Sequence, residues 1–458
     1  MCEFVFDGIR ENECIELIKM FLRPSEFSTD GAAAHAAHAR RIELPAALAR
    51  AGLCDKNAAK RFLYDRLSAL TGKSLAWGIL TGIRPVKLFG ALAERAGADA
   101  DEAHARRRFR EEYYVSEAKT ELTARIYALQ RALVAPPEAD TVGLYIGIPF
   151  CPTRCGYCSF PANAVPYARV GAYLAALRRE ADFVAAGMAR KGLLAESIYI
   201  GGGTPTFLNE ADLDALLDGV RRRFAGARLR EFTVEAGRPD TIDAEKLRVM
   251  RRHGVDRVSV NPQSMNDDTL LRIGRDHTAE AVRTAFRLAR EVGDLRINAD
   301  LIAGLPGEEA PDFERSLRAL LELAPESVTI HALAVKRAAR LREEDAEYSY
   351  TRAEQAEEML QTAAKALAEA AYAPYYLYRQ KRTVGNLENT GYVRDGKPCL
   401  YNVRIMEERQ TIVALGAGAS TKLYVPRENR LTRAFNVSDY AIYTERLEEM
   451  LARKRRLL

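Results

Sequence analysis

From residue 141 onward the chain alternates short β-branched runs with amphipathic stretches, and this alternation restricts the fold more than any other feature. The strand-like runs are 142–148, 197–200, 231–235, 257–260, 296–301 and 328–332. Helix-like segments lie between them at 166–188, 210–223, 244–253, 279–291 and 312–323. The repeat length is ~30 residues, the size of one strand–helix unit returning to a parallel sheet. Crossovers of one hand make six such units wind into an open sheet or curl toward a barrel. Periodicity does not choose between the two.

The flanks have another texture. Residues 1–138 read mainly as helix and loop: 45–50 and 55–70 have helical periodicity, and 80–87 looks like a turn entering a helix. The alanine-rich stretch 31–40 suits a flexible loop, and Pro136-Pro137 punctuates the end of the region. Beyond 340, residues 351–371 read as one long helix, 375–378 and 410–416 as strands, and 438–451 as a helix opened by Ser438 as N-cap and then Asp439. The expected division is an N-terminal extension (1–138), a βα array (139–340) and a C-terminal accessory part (341–458).

Composition excludes several classes. The 458 residues are 48% apolar and 29% charged, an ordinary globular balance with enough chain for a sizeable core and a cavity. No apolar run approaches the ~18 residues of a membrane span. The start carries two acids and no basic n-region, so no secretory signal is expected. The net charge of +5 is too small to imply nucleic acid and would suit a small polyanionic substrate. The basic tail Arg453-Lys-Arg-Arg456 reads as a solvated end, and Arg106-Arg107-Arg108 and Arg221-Arg222-Arg223 read equally well as solvated helix faces or receivers of an anionic group.

Seven cysteines, an odd number, argue for a reducing cytoplasm rather than a disulfide framework. Three of them follow the first strand as Tyr145-Ile-Gly-Ile-Pro-Phe-Cys151-Pro-Thr-Arg-Cys155-Gly-Tyr-Cys158. A chance match to C-x3-C-x2-C in such a chain is roughly 0.002. Structural zinc wants four closed ligands, and no second cysteine pair or nearby histidine supplies the fourth. Three thiolates on one short loop instead suit a [4Fe-4S] cluster with one iron left open. Cys2, Cys14, Cys54 and Cys399 have no metal-ligand spacing and read as ordinary thiols.

C-x3-C-x2-C after the first strand of a βα array is the signature of radical S-adenosylmethionine (SAM) enzymes. Gly201-Gly-Gly-Thr-Pro-Thr-Phe-Leu208, Gly274-Arg-Asp-His-Thr278 and Asn298-Ala-Asp-Leu-Ile-Ala-Gly-Leu-Pro306 resemble the oxygen-independent coproporphyrinogen III oxidase family. Phe232-Thr-Val-Glu-Ala-Gly-Arg-Pro-Asp240, Ser259-Val-Asn-Pro-Gln-Ser264 and Leu415-Gly-Ala-Gly-Ala-Ser420 resemble its HemZ-type branch. The resemblance covers residues 141 to about 425. It implies a partial (β/α)6 radical SAM barrel with a mainly helical N-terminal extension and a mixed α+β C-terminal part. Sites in such folds gather at the C-terminal strand ends.

The resemblance also implies roles. Cys151, Cys155 and Cys158 match the cluster ligands. Tyr145, Gly202 and Glu235 match contacts of one SAM molecule on the cluster. Tyr157, Gln263, Arg275 and Asp300 match contacts of a second SAM beside it, and Gly203, Thr204 and Ala334 match further SAM-binding positions. For Tyr145 and Tyr157 a core-packing role is an open alternative, and Glu235 could simply cap the next helix. Asp300 stands inside an apolar strand, where a lone carboxylate is costly, and Arg275 is the obvious partner type. The implied reaction is decarboxylation of two propionates of coproporphyrinogen III to vinyls, giving protoporphyrinogen IX, with electrons from an unidentified donor such as flavodoxin or ferredoxin. One position departs from the family's dehydrogenases: Phe160 stands where they carry a fourth cysteine. Relatives that carry haem lack that cysteine too, so a haem-binding chaperone is the alternative.

Overall fold

The computed structural model describes residues 2–5, 11–28, 40–43, 56–82, 84–94, 101–158, 164–335, 341, 345, 347–380 and 382–456. The stretches 31–39 and 45–50, Cys54 and Phe160 lie outside them. The expected strands appear as β4 (Thr141–Ile148), β5 (Leu194–Gly202), β6 (Glu231–Glu235), β7 (Arg257–Ser259), β8 (Arg296–Ala303) and β9 (Ser327–Ala332), preceded by three N-terminal strands, β1 (Cys2–Val5), β2 (Phe27–Ser28) and β3 (Arg40–Glu43). After them come β10 (Ala373–Arg379), β11 (Glu388–Val393), β12 (Ile412–Leu415), β13 (Ser420–Val425) and β14 (Arg430–Phe435).

Within each barrel strand the period of two sorts the side chains. Val142, Leu144, Ile146 and Ile148 of β4, Ile198 and Ile200 of β5, and Phe232 and Val234 of β6 face the helix layer and form one buried core with Tyr173, Leu177 and Leu217. The alternate residues face inward: Tyr145, Tyr199, Thr233, Glu235, Arg257, Ser259, Asn298, Asp300, Thr329 and His331 all line a cavity. Burying each aliphatic side chain on the outer face contributes about 1.5–3 kcal/mol, so the inner face is left to chemistry at little risk to the fold.

β4 to β9 pair in sequence order and all in parallel. Among the described residues the full sheet has eleven strands, ordered β10-β11-β9-β8-β7-β6-β5-β4-β12-β13-β14. Both flanks therefore come from the C-terminal part. β11 joins β9 antiparallel at one side. At the other, β12 runs parallel to β4 in the register Ile412↔Gly143 to Leu415↔Ile146. The sheet is open, its ends β10 and β14, and so the curl is partial. β2, β1 and β3 make a separate parallel sheet of three strands within the extension expected to be helix and loop. Strands of two to four residues are too short to show alternation in sequence.

The helix Leu400–Glu407 closes the N-terminal end of the barrel strands. Glu231 at the start of β6 accepts the backbone N–H groups of Leu400 (2.8 Å) and Tyr401 (3.0 Å), capping this helix from another element. Arg404 forks onto Glu196 of β5 with two bonds of 2.9 Å, and Gln410 donates to the same carboxylate at 2.7 Å. The N-terminal extension covers β10: Gln130 donates to the Tyr375 carbonyl (2.8 Å), and Trp77 donates to Glu388 (2.8 Å) beneath the Arg379 guanidinium.

Two expectations for the C-terminus are corrected. The 438–451 segment is two helices, Tyr440–Glu445 and Leu447–Arg455, interrupted at Arg446, and its N-cap is Asp439, whose side chain accepts from Ala441 and Ile442. The tail is solvated only in part: Arg453, Arg455 and Arg456 are exposed, as expected, and Lys454 is not. Lys454 is 1% exposed and pairs with the buried Glu180 of the helix Val170–Arg190, and Arg455 lies over the Phe183 ring. Glu180 also accepts from Gly416 N–H, Tyr443 and Asn436, so a single buried carboxylate gathers the C-terminal elements and needs a cation beside it.

Candidate active site

Every expected site residue lines one cavity of about 440 Å³ at the C-terminal ends of β4 to β9: Tyr145, Cys151, Cys155, Tyr157, Cys158, Gly202, Gly203, Thr204, Glu235, Gln263, Arg275, Asp300 and Ala334. They come from separate stretches spanning residues 145 to 334, brought together by the parallel register.

The cysteine loop follows β4 and docks on the 273–274 turn, Gly156 N–H donating to the Ile273 carbonyl at 2.9 Å. Its three thiols are half-buried and free of disulfides. Cys151 Sγ lies 3.2 Å from Thr204 Oγ1. Among the described residues no three His, Cys, Asp or Glu side chains gather tightly enough for a single metal ion.

The glycine run after β5 has a different physical basis from the ligand approach that a strand-end glycine suggests. A Cβ on Gly201 would sit 2.6 Å from the Glu235 carboxyl carbon, and one on Gly203 would sit 2.5 Å from the Phe150 carbonyl oxygen. Gly202 has φ +110°, which L side chains rarely adopt. The turn is thus folded against the chain itself, Gly203 N–H bonding to the Ile148 carbonyl (2.8 Å) and Thr204 N–H to that of Phe150 (2.7 Å).

Glu235 accepts from the Tyr199 hydroxyl (2.6 Å) and from Gly202 N–H (3.1 Å). It does not cap a helix; the next one, Ala244–Arg252, is capped by Asp243. Burial, with the Asp300 charge adding, pushes its carboxyl up to about 7 in spite of the two hydrogen bonds. Tyr199 stands in a stack with Tyr145 (6.3 Å between centroids) and Tyr401 (4.6 Å), so the helix Leu400–Glu407 delivers one ring of an aromatic wall. Tyr145 is both packed and cavity-facing.

Asp300 is not paired with Arg275. His331 Nε2 lies 3.4 Å from Asp300 Oδ2, and Asn298 donates to Oδ1 at 2.9 Å. Burial pushes the Asp300 carboxyl up, but the hydrogen bonds and the adjacent His331 ring hold it below the usual carboxylate range. Arg275, 7% exposed, instead donates to the carbonyls of Asn261 (2.8 Å) and Gly237 (3.1 Å) and to the Tyr157 hydroxyl (3.3 Å). A guanidinium can be buried on carbonyl oxygens alone, which the search for a carboxylate partner overlooked. Gln263 has φ +69°, unusual without glycine, and is strapped to β8 by bonds to Asp300 and Ile302. Ala334 bridges Thr383 at the opposite rim.

The sequence reading missed Tyr199, Arg238, Asn298, His331, Tyr378 and Tyr401, which share this wall. For Tyr199, Asn298 and His331 the signal was the strand period: each lies two or an even number of residues from, or in register beside, an expected inward position. Tyr401 carried no such signal. Cys399, expected to be an ordinary thiol, is buried at the floor and donates to Glu231.

The residues fit the cofactors implied by the motif. Three thiols on one loop, none in a disulfide, are a donor set for iron, and among the described residues Thr233 Oγ1, Asn261 Oδ1 and Arg275 Nε are buried on the cavity wall without hydrogen-bond partners. Such orphaned groups are satisfied by a polar ligand.

Residues 145–320 match the Radical SAM superfamily model. The chain is 41% identical over 400 residues, 86% of its length and 79% of the relative's, to the oxygen-independent coproporphyrinogen-III oxidase-like protein HemZ of Bacillus subtilis (strain 168). It is 40% identical over 193 residues, 42% of this chain and 50% of the relative, to the heme chaperone HemW of the same organism. The solved structure of coproporphyrinogen III oxidase HemN from Escherichia coli covers 71% of this chain and 73% of its own at 24% identity, with a TM-score of 0.57, a likeness of fold. The chain belongs to the radical SAM superfamily and, within it, to the HemZ-like coproporphyrinogen oxidase homologues.

Proposed function

We propose that the chain is an anaerobic radical SAM oxidoreductase that decarboxylates coproporphyrinogen III to protoporphyrinogen IX. The observation that carries this is the convergence of both sets of family SAM contacts, Tyr145, Gly202 and Glu235 with Tyr157, Gln263, Arg275 and Asp300, on the cavity that the cysteine loop opens into. When bound, the cluster and SAM would supply a 5′-deoxyadenosyl radical to take a hydrogen atom from a propionate β-carbon, and loss of carbon dioxide together with one electron, passed to an external acceptor, would leave the vinyl.

The chain's own residues do the rest. Cys151, Cys155 and Cys158 hold the cluster. Glu235, held by Tyr199 and Gly202, presents a carboxylate to one SAM, and Asp300, braced by His331 and Asn298, presents another to its neighbour. The walls Tyr145, Tyr199, Tyr401, Tyr376 and Tyr378 give a flat tetrapyrrole aromatic surfaces to lie against and exclude water from the reacting carbon.

A second reading, a haem chaperone on the same scaffold, is favoured by the 40% identity to HemW over 193 residues. Anaerobic turnover with reductant, SAM and coproporphyrinogen III, followed by product chromatography, tests the first reading: vinyl products with matching 5′-deoxyadenosine support it. Tight haem binding with no SAM cleavage refutes it in favour of the chaperone. Among the described residues no helix is long and apolar enough to cross a membrane.

A further inference from the structure

After β6 the chain runs Glu235-Ala-Gly-Arg238-Pro-Asp240 beside the cysteine loop. Arg238 is 2% exposed. Its guanidinium forks onto Asp240, Nε to Oδ1 and Nη2 to Oδ2, both at 2.9 Å. Its remaining nitrogen, Nη1, donates to Thr153 Oγ1 at 2.9 Å, within the loop, and lies 3.9 Å from Cys155 Sγ. Asp276 stands farther off, 3.9 Å from Nη2. A second buried guanidinium, Arg275, also faces Cys155.

This is a costly arrangement for a fold to keep. Asp240 already balances the charge of the buried guanidinium, and the nitrogen left over, Nη1, is turned onto the cysteine loop. It places a fixed positive charge and an N–H against one thiol of the loop. Charge and hydrogen bonds at the sulfurs are what set the potential of a thiolate-bound cluster, because the reduced state carries one more negative charge than the oxidised.

We propose that Arg238 is a positioning residue that raises the reduction potential of the cluster held by Cys151, Cys155 and Cys158, and that Asp240 limits how far. The inference rests on the cluster reading above. The two residues act in opposite directions: removing the cation makes the cluster harder to reduce, and removing its counter-charge makes it easier.

The test is an EPR-monitored redox titration of the anaerobically reconstituted full chain, with iron and sulfide counted per chain. Arg238→Gln should keep its iron, and at the parent's midpoint its reduced-to-oxidised ratio should fall about tenfold, equivalent to ~59 mV for one electron. Asp240→Asn should shift the ratio the other way, and Arg238→Lys should fall between parent and Arg238→Gln. A residue that merely braced the loop would move Arg238→Gln and Asp240→Asn in the same direction, and that result, or no shift in Arg238→Gln, overturns the proposal. If Arg238→Gln assembles no cluster, Asp240→Asn decides: an upward shift supports the proposal and an unchanged or downward one overturns it. Failure of the parent itself to hold iron would instead strike the cluster reading.

Discussion

Glu235→Gln separates a charge held for chemistry from one held for the fold. In the folded chain burial raises this carboxyl from 4.5 to about 7. A raised carboxyl binds its proton more tightly folded than unfolded, so its contribution to stability is fully present below pH 4.5 and is lost as pH rises through about 7. At about 1.36 kcal/mol per pH unit, that rise comes to about 3 kcal/mol of stability lost by pH 8. Gln cannot ionise, so the parent-minus-variant difference should decline by this amount from pH 4.5 to 8 while all other groups cancel. One offset is constant: Gln keeps an acceptor for only one of the two donors, Tyr199 and Gly202, and the other loses its bond at a cost of about 1–3 kcal/mol. The offset shifts the difference curve without tilting it. Chemical denaturation of both proteins at pH 5, 6, 7 and 8 reads the tilt. A flat difference, or one that grows with pH, would refute the argument that the cavity holds an unwillingly ionised carboxylate.

The triple variant Cys151→Ala, Cys155→Ala, Cys158→Ala should retain almost no iron or sulfide after anaerobic reconstitution; parent-level content would sink the ligand assignment. Asp300→Asn should weaken SAM binding, read by calorimetry, with the cluster still assembled. Gly201→Ala puts a methyl 2.6 Å from the Glu235 carboxyl carbon and should lower SAM affinity by displacing that carboxyl, with no change of charge. Arg404→Ala leaves Glu196 buried with Gln410 and the exposed Arg230 as its remaining partners, and should cost about 3–5 kcal/mol in denaturant unfolding. A loss below 1 kcal/mol would show the floor helix to be held by other means.

The barrel was legible because its strands are buried on both faces and its helices are amphipathic: all six strand runs and the five helical segments read between them stand within a few residues of the positions read from sequence, and only the short α-helix Asp267–Arg272 among the described residues there was not read. The cysteine loop was legible because three thiols at that spacing admit few chemistries. The partners of those residues were not. Arg275 and Asp300 look complementary in sequence, yet each found a neighbour nearer in the sheet, Asn261 and Gly237 carbonyls for one and His331 with Asn298 for the other. Pairing depends on lateral register, which a one-dimensional pattern does not carry. The floor helix escaped for the same reason: Cys399 and Tyr401 reach the cavity only because Glu231, 168 residues before Cys399, caps their helix.

The place of β12 beside β4 has a consequence for how the protein is made. β4 ends at Ile148, and its second neighbour begins at Ile412, about 260 residues later. At ~5–20 residues per second of synthesis, one edge of the first barrel strand stands unpaired for roughly 13–50 s after it emerges. During that interval the bare flank of the strand is a template on which other nascent chains can pair. It is the last hundred residues that end the exposure by completing the wall.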